Sequence, residues 1–461
     1  MGIIGNGQSL SVGCCGHALT TTQPFRNLKL SGPALPDGAL LSLVPLVEPI
    51  RLPHGVGEPY PNNILGESPH SSMANQLSTL ALARDGAEYV TIHAVVGWGG
   101  HCMDDIDKEG AGPSYPASLA EARAFKRLAD AEGKTLAFGA VLLTHGECDA
   151  PSAGYEAKLY EMWKDYDADL RAITGQRERV VLLVSQQHTY PVEGMVAHST
   201  LAQWSAGVHH PGEIACIGPT YQYVYAGDHV HLDAASYRRL GEKYAEVFDQ
   251  VVRQGKPWRP LQPSSVRRDG LEITVTFDVP KPPLTWDETL APPHQEAFTA
   301  WAKGRGFEVT GTSGPVSIAG VRIAGDAVVI TLASAPRTSP LTVRYATVQD
   351  AKEAAGGTAL GRRGQLRDSD AFVGWDAETL PCTVEHGAAL VTTAGDATFA
   401  RRTLRDVVAG AELAPDTIVT ARTSSTVLTL SSPWTGPSGT ANLSFRYDQR
   451  NYAVAFQLSV P

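Results

Sequence analysis

Several features that would assign this chain to a specialised class of protein are missing. No apolar run approaches the ~20 residues that a membrane helix needs, so we expect no membrane partner. The formal net charge is −10 and no basic run interrupts the sequence, so we expect no nucleic-acid partner. The start, Met1-Gly2-Ile3-Ile4, has neither the charged nor the long apolar segment of a secretory signal. Three locations stay open: secreted with the signal removed, virion-associated, or cytoplasmic.

Cysteine is scarce and irregularly spaced. The chain has 6 cysteines in 461 residues, without a Cys-x-x-Cys pair. We therefore expect mostly free thiols rather than a disulfide framework or a zinc site, and neither a metal nor another cofactor. The cysteines are the adjacent Cys14 and Cys15 and the scattered Cys102, Cys148, Cys216 and Cys382.

What is present indicates a globular protein of two or three domains. Residues 1–258 alternate short apolar runs with amphipathic stretches, which predicts a parallel sheet with helices on both faces. The predicted strands are Tyr89–Val96, Leu136–Leu143, Val180–Val184 and Ile214–Ile217. One predicted helix starts at a capping box, Ser118-x-x-Glu121. Two others are indicated by stripes at helical spacing: Tyr155, Leu159, Met162, Tyr166, Leu170, and Tyr237, Leu240, Tyr244, Val247, Phe248, Val251.

The pattern changes near Pro257–Pro260, after which helical periodicity mostly stops. Residues 271–277 alternate as a half-buried strand does, and further short strands follow between Gly, Asp and Pro. We therefore predict a β-sandwich-like accessory domain over 259–461. A Thr-, Ala- and Ser-rich stretch at 383–444 indicates a small β insertion, because Tyr452–Phe456 has the pattern of the sandwich's last strand.

A nucleophile candidate comes nine residues into the chain. Ser9 lies in Gly5-Asn6-Gly7-Gln8-Ser9-Leu10, directly after the apolar Ile3-Ile4. A serine after a strand is often only a helix N-cap. Its position at the carboxyl end of a predicted parallel strand, where ligands bind in open α/β sheets, favours a catalytic role.

Two further motifs follow predicted strands. Gly99 and Gly100, in Gly97-Trp98-Gly99-Gly100-His101, would let the backbone point an N–H at a ligand, although a plain glycine turn has the same sequence. His145, Glu147 and Asp149 follow the next strand in Thr144–Asp149. This polar cluster fits a metal site, an oxyanion donor or a structural corner, and its spacing, which is not that of a zincin helix, disfavours the metal.

The base candidate lies in Asp228-His229-Val230-His231, before the last strongly periodic helix. The Asp-x-x-His spacing lets a carboxylate turn back onto the ring of His231, whereas adjacent residues usually point apart. We therefore choose His231 as the base, with Asp228 to orient it. His229 is then a pocket-lining or solvent-facing residue.

The order of these motifs resembles the SGNH hydrolase superfamily over about the first 258 residues. More narrowly, it is similar to the carbohydrate-esterase branch that includes sialate O-acetylesterases and acetylxylan esterases. Residues 66–69 (Gly-Glu-Ser-Pro) resemble a segment of bacterial and phage relatives. The resemblance implies a flavodoxin-like three-layer α/β/α fold that hydrolyses acetyl esters on sugars without a cofactor.

The resemblance also implies roles for individual residues. Ser9 would be the nucleophile, His231 the base and Asp228 its orienter. The oxyanion hole would use the N–H of Ser9, an N–H of Gly99 or Gly100, and the His145 side chain. His145 stands where relatives have Gln or Asn, and His101 where a Thr is common. We also assign Gln8, Glu147 and Tyr221 to substrate binding.

Two other functions stay open beside the carbohydrate O-acetylesterase. One is a generalist carboxylesterase or lipase-like hydrolase, and the other is a non-enzymatic glycan-binding protein of a phage tail. The intact Ser9, Asp228 and His231 favour an enzyme. The charged stretch 362–370 fits a solvated loop or, alternatively, a rim over the active site. The sequence leaves the oligomeric state unknown.

Overall fold

The structure is a computed structural model that describes most of the chain. The described residues are 1–34, 41–50, 66–190, 197–293, 298–336, 340–349, 356, 361–394, 399, 402 and 404–461. They form two compact units, Met1–Ser369 with Asn451–Pro461, and Asp370–Arg450.

The first part of the chain alternates strands and helices, as predicted. The four predicted strands and the two helices with apolar stripes are confirmed, and the strand ends differ from the predicted ones by at most three residues. The elements are β1 (Gly2–Gly7), β2 (Leu28–Leu30), β3 (Leu43–Pro45), α1 (Pro69–Asp85), β4 (Ile92–Val95), α2 (Met103–Ile106), α3 (Ser114–Ala131), β5 (Phe138–Thr144), α4 (Tyr155–Thr174), β6 (Val181–Gln186), α5 (His198–His209), β7 (Ile214–Pro219) and α6 (Ala234–Phe248).

These strands form one seven-stranded sheet in the order β3-β2-β4-β1-β5-β6-β7. All pairs are parallel except β2 with β3. Without β2 and β3, the order of the remaining five is 2-1-3-4-5, that of flavodoxin-like sheets. The carboxyl ends of β1, β4, β5 and β7 therefore lie at one edge, where the serine, the glycine loop, the His145 turn and the Asp228 loop follow.

Helices cover both faces of this sheet. Successive residues of β4 point to opposite sides: Ala94 packs in the cluster formed with α3, α4 and α5, and Val95 in another with Ala74 of α1. Helix α1 packs against α6, whereas α4 packs against α3 and α5. This arrangement buries β1 and β4 to β7 on both faces and leaves their carboxyl ends to the connecting loops.

An antiparallel β region follows. Its strands are β8 (Gln262–Asp269), β9 (Glu272–Asp278), β10 (Thr285–Trp286), β11 (Phe307–Gly311), β12 (Gly314–Pro315), β13 (Ile318–Ala324), β14 (Ala327–Leu332), β15 (Leu341–Tyr345) and β16 (Leu366–Arg367). Strands β13-β14-β9-β8 form one four-stranded sheet. Strands β12, β11 and β15 belong to another, and both sheets contribute to one hydrophobic core that includes Ile273, Val275 and Val343.

The second unit is a six-stranded antiparallel sheet in the order β19-β22-β17-β18-β21-β20. Its strands are β17 (Glu378–Val384), β18 (Leu390–Thr392), β19 (Val407–Ala409), β20 (Val419–Ser424), β21 (Val427–Leu430) and β22 (Gly439–Arg446). The unit, Asp370–Arg450, is wider than the 383–444 insertion expected from composition. Strand β23 (Phe456–Val460) then returns to the first unit and pairs with β15. This last strand begins where the predicted one, Tyr452–Phe456, ends, and Tyr452 makes an isolated bridge with Arg367.

Polar contacts join the α/β layer to this returning segment. The Gln186 side chain, at the end of β6, accepts from the Ala455 N–H at 2.7 Å and donates to the Ala455 carbonyl at 2.9 Å. Position 258 therefore marks a change of secondary structure inside one compact unit. A division there into two independently folding domains stays a prediction.

The charged stretch 362–370 is not the solvated loop that was one of its two expected forms, whereas the other, a rim over the active site, stays a prediction. Arg362, Arg363 and Asp368 are all buried. Arg363 donates to the carbonyls of Ala291, Gly361 and Pro292, so its guanidinium binds backbone carbonyls within the fold.

Across the described ranges, no helix combines the length and apolar character that a membrane crossing requires.

Candidate active site

The Ser9 turn is shaped by a glycine that no larger residue could replace. Gly7 ends β1 with φ +142°, and a Cβ there would lie 2.3 Å from the Thr144 carbonyl oxygen of β5. The chain then bends into a 3-10 helix, Ser9–Val12, that stops at Gly13 with φ +75°. Ser9 is thus presented half-buried at the carboxyl end of the central strand.

Asp228 and His231 lie on a hairpin that follows β7. Tyr225 and Leu232 pair across its base, and the Ala226 N–H donates to the His231 carbonyl at 2.7 Å. At the tip, Asp228 Oδ1 accepts from the N–H groups of Val230 and His231, both at 3.0 Å. This Asx-type turn is the local reason that the carboxylate folds back onto the ring three residues later.

Ser9, His231 and Asp228 form a continuous hydrogen-bonded chain. His231 Nε2 lies 2.6 Å from Ser9 Oγ, and His231 Nδ1 lies 2.6 Å from Asp228 Oδ2. A carboxylate can only accept, so Nδ1 carries a proton, and in the neutral form of the ring Nε2 is free to accept the serine proton. The segments that meet here are 222 residues apart in sequence.

Electrostatics favours the charged form of both partners. Burial would raise the pKa of Asp228, but the hydrogen bonds from His231 and two backbone N–H groups hold that pKa well below its usual range. Burial would likewise lower the pKa of His231. Hydrogen bonds with Cys14 and Asp228 outweigh it and raise the pKa of His231 to about 9. The imidazolium that forms when serine gives up its proton is therefore stabilised.

His229 lies outside this chain of hydrogen bonds. It is exposed, with φ +59°, and its carbonyl accepts from the Gly356 N–H at 2.7 Å. The structure thus brings His231, not its neighbour, to the serine.

In the glycine loop, Gly97 approaches the serine turn closely, whereas Gly100 does not. A Cβ at Gly97 would lie 2.0 Å from Ser11 Oγ and 3.0 Å from the Gln8 carbonyl oxygen. At Gly100, which has φ +78°, a Cβ would meet nothing within 4 Å, and Gly99 is half-buried. Gly97 stood in the same motif, but sequence gives no sign of which glycine abuts the serine turn.

His145 has no N–H to offer an oxyanion. Its Nε2 lies 3.0 Å from the His101 carbonyl, which can only accept, so Nε2 carries the proton. Nδ1 then accepts from the Tyr155 hydroxyl at 2.8 Å. The ring is fully buried, and burial lowers its pKa. The oxyanion role expected for His145 is therefore corrected: the ring ties the glycine loop to α4.

A disulfide makes a second tie between the same loops. Cys102 and Cys148 are bonded, whereas Cys14, Cys15, Cys216 and Cys382 are free. The expectation of mostly free thiols holds for four of the six cysteines, and this pair is the exception. The bond joins the residue after His101 to the residue after Glu147.

Two residues assigned to the substrate differ in their surroundings. Gln8 is buried, and its Oε1 lies 3.5 Å from the backbone nitrogen of Cys148, in the turn that follows β5. Glu147 is also buried, and burial raises its pKa to about 7. Its Oε2 has no hydrogen-bond partner among the described residues.

Tyr221 is a core residue, which corrects its assignment to the substrate. It is fully buried, and its hydroxyl donates to the Ala453 carbonyl at 2.8 Å. The ring packs edge-on against His188 and Tyr452. A substrate cannot reach it without opening the β region.

Sequence reasoning missed the two thiols beside the site. Cys15 Sγ lies 3.4 Å from Asp228 Oδ2, and a hydrogen bond with His231 lowers the pKa of the Cys14 thiol. Burial and the Asp228 carboxylate raise the pKa of Cys15 to about 12. Their position in the turn that carries Ser9 was a usable signal.

Comparison with known proteins gives a likeness of fold. No family model and no curated protein sequence matches the chain. A carbohydrate acetylesterase from Xanthomonas citri is similar in structure, with TM-score 0.50, 14% identity and 80% of each chain covered. A protein from Arabidopsis thaliana (TM-score 0.39, 16% identity, 54% of this chain and 97% of that one) is a more distant match. NanS is another (TM-score 0.38, 14% identity, 55% and 97%).

Proposed function

We propose that the protein is a serine esterase that removes O-acetyl groups from a carbohydrate. One observation carries the proposal: Ser9 Oγ, His231 Nε2, His231 Nδ1 and Asp228 Oδ2 form one chain with two contacts of 2.6 Å. A serine hydroxyl is a weak nucleophile until an adjacent base accepts its proton. The proposed enzyme is of the SGNH type.

The reaction follows from the proton positions. Ser9 Oγ attacks the ester carbonyl while its proton moves to His231 Nε2, and Asp228 stabilises the resulting imidazolium. Nε2 then protonates the leaving sugar oxygen, and an acetyl-serine remains. Water, deprotonated by the same nitrogen, attacks that ester, and acetate leaves as the Ser9 hydroxyl is restored.

The negative charge on the tetrahedral intermediate needs hydrogen-bond donors. We assign this role to the N–H of Ser9 and to an N–H of the loop Gly97–Gly100. Within that loop, Gly97 lies against the serine turn: a Cβ there would be 2.0 Å from Ser11 Oγ. His145 is left out because both of its ring nitrogens are used elsewhere.

One observation supports a carbohydrate as the substrate: the Xanthomonas protein of similar fold is a carbohydrate acetylesterase. A role for Glu147 in substrate binding stays a prediction, because its carboxylate is buried. In this proposal, residues 1–258 are the esterase domain and the β-rich remainder, 259–461, is accessory.

The experiment is a substrate panel with a matched inactive control. We expect acetate release from acetylated mono- and oligosaccharides, weaker hydrolysis of long-chain aryl esters, and neither from Ser9→Ala. Equal or better turnover of long-chain esters would favour a generalist carboxylesterase. Glycan binding without acetate release from any substrate would favour a binding protein and contradict the proposal.

A further inference from the structure

Three soft ligand side chains meet at the edge of the proposed active site. Cys14, Cys15 and His231 each offer one ligand atom, and these atoms lie within 4.8 Å of one another. Both cysteines are free thiols, Cys14 half-buried and Cys15 exposed. Ester hydrolysis uses neither thiol, so their presence beside the base has another cause.

The spacing of the thiols matches a single metal ion. With Zn–S bonds of about 2.3 Å, two sulfurs on one tetrahedral zinc ion lie about 3.8 Å apart. The Sγ atoms of Cys14 and Cys15 are 3.9 Å apart. Two thiolates with one imidazole form a set preferred by Zn²⁺ and other thiophilic ions over Mg²⁺ or Ca²⁺.

The backbone holds the two thiols in place. The Cys14 N–H donates to the Ser9 carbonyl at 3.1 Å, and the Cys14 carbonyl accepts from the Tyr237 hydroxyl at 2.8 Å. Cys15 has φ +64°, a left-handed conformation that non-glycine residues rarely adopt. Its Sγ lies 3.4 Å from Asp228 Oδ2, next to the base.

We propose that Cys14, Cys15 and His231 bind a thiophilic divalent cation such as Zn²⁺, and that its binding switches the esterase off. Binding releases the thiol protons to solvent and involves no oxidation. The fourth position stays open to water. The binding part of the proposal stands by itself, whereas the inhibition part rests on the proposed function.

Inhibition follows whichever ring nitrogen takes the metal. At Nε2 the ion would occupy the lone pair that must accept the Ser9 proton. At Nδ1 it would break the bond to Asp228 Oδ2 that fixes the tautomer. Either way, the serine loses its base.

Binding is measured first, with Co²⁺ as a spectroscopic probe and Zn²⁺ as competitor. Wild type and Ser9→Ala should both show a thiolate-to-cobalt absorption band that Zn²⁺ abolishes, because Ser9→Ala keeps all three ligands. Cys14→Ser and Cys15→Ser should each weaken binding by more than about tenfold. Cys382→Ala, which changes a free cysteine of the other unit, is the matched control and should bind as wild type does.

A second readout avoids variants altogether. Saturating Zn²⁺ should protect Cys14 and Cys15 of the native wild type from iodoacetamide, as located by peptide mass spectrometry. No cobalt band in wild type, or a band unchanged in both Cys14→Ser and Cys15→Ser, would overturn the binding site. Alkylation of both thiols unaffected by Zn²⁺ would do the same.

Inhibition is measured on each variant relative to its own metal-free rate. Zn²⁺ should abolish wild-type hydrolysis, and EDTA should restore it. Cys14→Ser and Cys15→Ser should resist inhibition by Zn²⁺. A wild type that keeps its rate when saturated with Zn²⁺ would overturn the inhibition. A wild type that binds Co²⁺ yet hydrolyses no ester would instead refute the proposed function and leave the metal site standing.

Discussion

Two histidines follow strands of the same sheet, yet the structure gives them opposite surroundings. His231 is partly exposed, and its Nε2 points at a hydroxyl that can give up a proton. His145 is wholly buried, and both of its nitrogens contact groups that do no chemistry, the Tyr155 hydroxyl and the His101 carbonyl. The role of a histidine at the carboxyl edge of the sheet thus depends on what its ring nitrogens contact. A nitrogen that faces a serine hydroxyl can accept a proton, whereas a ring with both nitrogens bonded to fixed groups connects parts of the structure.

The difference extends to the loops that carry them. The turn of the His231 hairpin is shaped by local bonds within residues 225–232, although the Gly356 N–H also donates to the His229 carbonyl at its tip. The His145 turn is held by distant groups, including the disulfide from Cys148 to Cys102 and the Met103 N–H that donates to Asp149 at 2.7 Å. These contacts join the His145 turn to the residues that end the glycine loop.

The largest expected effect is loss of the nucleophile or the base. Ser9→Ala and His231→Ala should each lower kcat on the order of 10⁴-fold or more, because these residues act as a unit. Melting temperatures should stay close to wild type, since both side chains lie near the surface. Steady-state kinetics on a sugar acetate checks this, and a variant that keeps a few per cent of the wild-type rate would remove the mechanism.

Loss of the orienting charge should come next. Asp228→Asn should lower kcat by about 10³- to 10⁴-fold, because an amide can hold His231 in the wrong tautomer. Asp228→Glu is the paired variant and should recover part of the rate, since it keeps the charge. Equal activity of the Asn variant and wild type would show that His231 works without its partner.

The third prediction tests the other side of the comparison. His145→Ala should cost about 1–3 kcal/mol of unfolding free energy, because it leaves the buried Tyr155 hydroxyl without its acceptor. It should change kcat much less than the ~10²-fold typical of a lost oxyanion donor. Melting temperature and kcat are measured together on the same variant. A large fall in kcat at unchanged stability would restore the oxyanion role.

Glu48 offers a smaller, pH-dependent test of a buried group that is purely structural. Burial and the nearby Glu67 raise its pKa to about 8, against about 4.3 for an unfolded chain. The folded protein therefore keeps this proton up to about pH 8, so the stabilisation is full below the unfolded pKa and is lost as pH rises toward 8. Glu48→Gln should flatten the fall of unfolding free energy between pH 5 and 8. An unchanged slope in denaturant titrations would refute the assignment.

The smallest effect is expected at His229, two residues from the base. His229→Ala removes an exposed ring from the same hairpin and should change kcat less than about threefold. The variant controls for disturbance of the hairpin in His231→Ala. A loss as deep as that of His231→Ala would mean that the choice between the two histidines is wrong.

Local patterns carried most of what could be predicted. The apolar runs indicated the strands, and the Asp-x-x-His spacing indicated the turn, because both depend on neighbours within a few residues. Helix α3 shows a local failure: it begins at Ser114, and Ser118 Oγ bonds the Tyr115 carbonyl inside the helix instead of capping it. In sequence, a capping-box pattern that lies one turn inside a helix looks the same as one at the start of a helix.

Long-range partners account for the errors at the site. Tyr221 is buried because its hydroxyl meets Ala453, 232 residues later. His145 is engaged by His101, 44 residues earlier, and Arg363 by carbonyls 71 and 72 residues earlier. Local spacing in the sequence does not reveal partners so far apart. Polar residues with a structural role were therefore taken for residues that bind a substrate.

The central claim is that His231 activates Ser9, and covalent labelling tests it most directly. Wild type is treated with a fluorophosphonate and digested, and the adduct is located by mass spectrometry beside Ser9→Ala and His231→Ala. We predict one adduct, on Ser9, absent from Ser9→Ala and formed on the order of 10³-fold more slowly in His231→Ala. A wild type that stays unlabelled or carries the adduct on another residue would contradict the account. Labelling of His231→Ala as fast as that of wild type would contradict it too.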